Sequence, residues 1–131
     1  MYLELYYDPT CEIFRTDPAN EGFPEVPRLI EEVRQKGIEV EIMDTGKMSE
    51  GERREAYEKA AVLAVRKKYR VRQVFGSRRY GYGPDFGKGV PALLVYKEKG
   101  DQYPEDVYPH EREGKIFTIK EFLEQLLKAE E

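Results

Sequence analysis

Gly89-Val90-Pro91-Ala92-Leu93-Leu94-Val95-Tyr96 is the most hydrophobic stretch of the chain. Its apolar residues do not alternate with polar ones, which marks a strand buried on both faces and therefore central in a sheet. Downstream, Lys97 to Asp101 is polar and contains Gly100, a turn signal for a hairpin into a strand around Tyr103 to Tyr108. Pro104 and Pro109 interrupt that second strand and assign it to a sheet edge, where a missing N–H costs least.

Working towards the N-terminus, the segment from Arg70 to Gly89 is rich in Gly, Arg and aromatics and has no clear period. Before it, Ser49 and Glu52 have the spacing of a capping box, opening a long helix that runs to about Tyr69 with Ala56, Ala60, Leu63 and Ala64 on one side. Ile38-Glu39-Val40-Glu41-Ile42 alternates with period two and reads as a strand with one buried face. A helix from about Glu25 to Lys36 carries Val26, Leu29, Ile30 and Val33 as its stripe. It tolerates Pro27 in its first turn, and Gly37 follows as its C′ residue. Leu3 to Tyr7 is a first strand that stops at Asp8-Pro9, and the three prolines between Pro9 and Pro24 indicate loop with about one helical turn. At the other end, Thr118 and Glu121 form a second capping box before a helix whose apolar face is Ile119, Phe122, Leu123, Leu126 and Leu127.

The resulting order is β-α-β-α-β-β-α, one α/β domain over 1–131. The first two strands are expected to be parallel and the last two to form a hairpin, giving a mixed four-stranded sheet flanked by helices. Composition agrees with a globular domain: 131 residues, 40% hydrophobic and 37% charged. The net charge of -4 comes from 22 basic and 26 acidic residues, a balance that argues against a general nucleic-acid coat protein. A single Cys suits a reducing compartment. The N-terminus has no signal-peptide pattern, and no apolar run is long enough to span a bilayer, so the expected location is cytoplasmic with no membrane partner. High charge, one Cys, a single Asn and no Trp point to a thermophilic source.

Three landmarks in order resemble the thioredoxin-like superfamily. Cys11 follows the first strand closely, Lys68-Tyr69-Arg70-Val71 looks like the end of that family's second helix, and Gly89-Val90-Pro91-Ala92 resembles its Gly-Val-Pro-Thr segment. The resemblance covers nearly the whole chain. It implies a cis Val90–Pro91 bond facing a reactive thiol; without it, Pro91 reads as a trans proline opening a strand. Two departures stand out. Cys-x-x-Cys becomes Cys11-Glu12-Ile13-Phe14, so the second thiol must come from another molecule. An insertion at about 73–88 also precedes the proline segment, on the rim that the family fold assigns to Cys11.

The resemblance implies a monothiol mechanism in which Cys11 attacks and Arg15, four residues on, stabilises the thiolate. Val90 and Pro91 would shape the backbone that holds a protein or small-molecule thiol or disulfide, with Tyr80 and Tyr82 of the insertion as further contacts. Against reactivity, Asp8 and Glu12 favour the neutral thiol, and Pro18, Pro24 and Pro27 break any helix behind it. A small, partly buried residue at a degenerate site is the competing reading of Cys11. Two other functions follow from the same residues: a non-catalytic interaction module using the 73–88 loop, or a single-stranded nucleic-acid binder through the basic and aromatic residues between Arg66 and Lys88. The second is disfavoured by the acidic net charge and the absence of a nucleic-acid motif.

The remaining motifs fail on spacing. A phosphate loop ending in Gly87-Lys88 would need glycine where Tyr82 stands and Ser or Thr at Gly89, and Phe86 replaces the third glycine of a dinucleotide fingerprint. No cofactor and no metal are expected, because Cys11 and His110 lack ligand spacing. His110, between Pro109 and Glu111, reads as a surface loop residue. Oligomeric state is not legible.

Overall fold

The computed structural model describes residues 1–10, 17–68, 70–71, 86 and 89–129. Cys11, Arg15, Tyr80, Tyr82 and nearly all of the 73–88 insertion lie outside the described residues.

The chain is an α/β protein. Its main sheet contains β1 (Tyr2–Tyr7), β2 (Glu39–Asp44), β4 (Ala92–Tyr96) and β5 (Asp106–Tyr108), in the order β2-β1-β4-β5. β1 and β2 are parallel, whereas β4 runs antiparallel to both of its neighbours, β1 and β5. This is the mixed four-stranded arrangement expected from the element order, with the apolar run at its centre: every residue of β4 is buried. β5 is an edge of this sheet and shorter than expected, starting only after Pro104 and Glu105.

Helix α1 (Val26–Gln35) and helix α3 (Ile119–Ala129) cover one face, where Val26, Leu29, Ile30, Val33, Ile119 and Leu123 pack on Leu3, Leu5, Val40, Leu93 and Val95. Helix α2 (Glu50–Lys67) covers the other, with Ala56, Ala60 and Leu63 against Tyr2, Tyr6, Leu94, Tyr96 and Val107. The small alanines let α2 approach the aromatic face closely. Both ends of α2 follow from local chemistry. The Ser49 Oγ accepts the Glu52 N–H at 3.1 Å while the Glu52 carboxylate accepts the Ser49 N–H at 3.0 Å, and Lys68 turns left-handed at φ 56. At the start of α3, the Glu121 N–H donates to Thr118 Oγ1 at 3.2 Å.

A second, three-stranded sheet was not anticipated. It consists of β3 (Arg70–Val71), β6 (His110–Arg112) and β7 (Lys115–Phe117), in the order β3-β6-β7. Glu113 and Gly114, at φ 54 and 80, make the two-residue turn between β6 and β7, a geometry that favours glycine. The assignment of His110 to a surface loop is therefore incorrect: it is 3% exposed, in β6. Pro109 ends one strand, and the ring of the next residue turns inward between Tyr108 and Phe117. The expected cis bond is also displaced, since the cis peptide among the described residues joins Tyr108 to Pro109, not Val90 to Pro91.

Candidate functional site

The register of β1 against β4 decides which parts of the chain meet. Tyr6 pairs with Ala92 and the strands run in opposite directions, so Asp8 and Thr10, leading out of β1, share one end of the sheet with Val90 and Pro91, leading into β4. Val90 is 4% exposed and Pro91 is buried. Phe86 is buried at the same place, edge-on to Tyr6 with ring centres 5.6 Å apart.

Three of the buried polar side chains, Asp8, Asn20 and Thr45, belong to segments that leave this end of the sheet. Asp8 follows β1 directly. Its Oδ1 accepts the backbone N–H of Thr10 at 2.9 Å and the Thr10 hydroxyl at 2.6 Å, a local turn that aspartate forms readily before a Pro-x pair. Gly46 lies so close that a Cβ there would sit 2.8–2.9 Å from the Asp8 carboxylate. Thr45 is fully buried and its N–H donates to the Tyr7 carbonyl at 3.1 Å, but its Oγ1 has no hydrogen-bond partner among the described residues. Asn20 ends a single 3-10 turn, Pro18–Asn20, capped by Asp17, whose carboxylate accepts the Ala19 N–H at 2.9 Å. The Asn20 side-chain amide donates to the Gly89 carbonyl at 2.9 Å.

Of the residues singled out from sequence, Val90 and Pro91 are thus at this end of the sheet. Cys11 and Arg15 fall between the described residues Thr10 and Asp17, and Tyr80 and Tyr82 also lie outside the described residues. Asn20 and Thr45 were not recognised as site residues. A lone Asn in a proline-rich loop was the available signal for the first; nothing local distinguished the second.

A second polar cluster occupies the α2 face of the sheet. The Glu4 carboxylate accepts the Tyr2 hydroxyl at 3.1 Å and the Tyr6 hydroxyl at 2.9 Å, and its charge also acts on Tyr96. Burial, reinforced by this carboxylate, raises all three phenols well above the usual tyrosine range, so they stay protonated hydrogen-bond donors rather than nucleophiles. Among the described residues no group of three or more His, Cys, Asp or Glu is disposed to hold a metal ion, and no helix is long and apolar enough to cross a membrane. Comparison with protein-family models, curated proteins and solved structures finds no match for the chain.

Proposed function

We propose that the chain is a thioredoxin-like protein of thiol/disulfide redox type, acting through Cys11 alone. The mixed sheet, with β1 and β2 parallel and β4 reversed between β1 and β5, has the arrangement this resemblance implies and supports it. The observation that carries the reading is the pairing of Tyr6 with Ala92, which brings the strand end before Cys11 beside the entry to the Val90-Pro91 segment. A thiolate and an extended substrate backbone need that proximity, because the substrate must be held while its sulfur is attacked.

The chemistry is an exchange. The Cys11 thiolate attacks one sulfur of a disulfide; that S–S bond breaks, a mixed disulfide forms, and the other sulfur leaves as a thiolate. With no second cysteine in the chain, a small thiol such as glutathione, or a partner's cysteine, must attack the mixed disulfide to release Cys11. The pH dependence of Cys11 alkylation tests the proposal. A thiol pKa well below the free value of about 8.5 is expected, and one at or above it would sink the catalytic reading.

One observation favours a second reading, a non-catalytic thioredoxin-fold interaction module using the 73–88 loop. Asp8 is a buried carboxylate three residues before Cys11, and nearby negative charge favours the neutral thiol. Under this reading Cys11→Ser leaves partner capture intact while deletion of 73–88 abolishes it.

A further inference from the structure

The C-terminal half of α2 is built unlike α1 and α3. Its residues from Ala60 to Val65 are all apolar, so hydrophobic side chains surround the helix instead of forming one stripe. Ala60 and Leu63 enter the core, which leaves Val62 and Val65 facing outward, 43% and 79% exposed. Glu58 stands four residues before Val62 and Arg66 four residues after it. At that spacing the three share one face, and charge reverses sign across the central valine. Both charged side chains are exposed, and neither has an ion-pair partner among the described residues.

Two depressions flank Tyr103, itself 46% exposed. One, of about 250 Å³, is lined by Glu55, Glu58, Lys59 and Val62; the other, of about 390 Å³, by Arg66, Lys67, Lys97, Asp101 and Glu105, so both carry charges of either sign. Along the helix itself, Glu58 lies to one side of Val62 and Arg66 to the other, a pattern complementary to itself after a half-turn.

We infer that this face of α2 is an interface between two copies of the chain, packed antiparallel about a two-fold axis through Val62. Each Glu58 then meets the partner's Arg66, and each Val65 packs on the aliphatic stem of the partner's Lys59. A two-fold interface requires such self-complementarity. The parallel alternative would set Glu58 on Glu58 and Arg66 on Arg66, and like-charge contacts select against it. Small side chains at Ala61 and Val62 suit the 8–10 Å separation of packed helices, a general range. One helix pair with its rim is a small interface, so the dimer is reversible and its ion pairs make it sensitive to salt.

Sedimentation of the full chain tests this, across a range on the order of 10 µM to 1 mM, where small interfaces associate. A monomer–dimer equilibrium is expected. Val65→Lys preserves helix propensity but faces the partner's Lys59, and is expected to weaken association tenfold or more, about 1.4 kcal/mol. Glu58→Arg and Arg66→Glu each weaken it too, yet an equimolar mixture of those two variants regains it, because both cross-pairs become opposite in sign. Circular dichroism checks that these exposed substitutions leave the fold intact. A chain monomeric throughout the range, a dimer unaffected by Val65→Lys, or a mixture no better than its components would each overturn the inference.

Discussion

Asn20 donates its side-chain amide to the carbonyl oxygen of Gly89, 2.9 Å away and 69 residues further along the chain. The bond is buried, and it ties the connection that follows β1 to the segment that enters β4. Pairing of β1 with β4 brings these regions to one end of the sheet; the Asn20 amide joins them side to side. Asn20→Ala leaves a buried carbonyl without this donor, which typically costs about 1–3 kcal/mol. Urea denaturation is expected to register that loss, and Asn20→Asp, which cannot donate, should fare no better than alanine.

The approach of Gly46 to Asp8 is a packing constraint of the same region. A methyl group at position 46 would lie 2.8–2.9 Å from the Asp8 carboxylate, closer than van der Waals contact permits. The carboxylate is held by its bonds to Thr10, so the backbone must give instead. Gly46→Ala is expected to destabilise the protein by about 1–3 kcal/mol, the usual range for overpacking, as a lower urea midpoint with unchanged slope.

Thr45 gives the opposite sign. Its Oγ1 is buried without a partner among the described residues, so the side chain carries the desolvation cost of a hydroxyl with no such hydrogen bond in return. Valine has nearly the same shape and no such cost. Thr45→Val is expected to stabilise the fold by up to about 1 kcal/mol; a clear loss of stability would show that the hydroxyl is satisfied in solution.

His110 predicts a pH dependence. Burial holds its imidazole below the ordinary histidine range. The Val107 carbonyl, 2.6 Å from Nδ1, and the Asp106 carboxylate at 3.7 Å oppose that shift, while Arg112 and Lys67 add to it. The folded protein therefore binds this proton less readily than the unfolded chain does. The stabilisation is complete above about pH 6.5, the unfolded value, and is lost as pH falls below it towards the folded value. The slope for one group cannot exceed about 1.4 kcal/mol per pH unit. Denaturation between pH 5 and 8 is expected to show this decline, and His110→Phe, which keeps a ring between Tyr108 and Phe117, should remove it. A wild-type curve flat through that range would contradict the assignment.

Much of the fold is written in short-range chemistry. Ser49 and Glu52 cap a helix because both partners lie within one turn, and Leu29, Ile30 and Val33 mark a buried face because helical spacing brings them together without help from the rest of the chain. The run from Ala92 to Tyr96 names its own position, since only a central strand buries every residue. β3 has two residues and β6 and β7 three each, too short for any period to be read. Of the candidate site, Val90 and Pro91 lie beside the end of β1, while the cis bond expected between them belongs to Tyr108–Pro109.

Helix ends, strand periodicity and the expected neighbours of each strand are properties of residues a few positions apart, so the linear chain already contains them. The inward turn of His110, the burial of the Thr45 hydroxyl and the bond from Asn20 to Gly89 depend on distant segments excluding water from one another. Burial is a property of the assembled molecule, and no residue carries it alone.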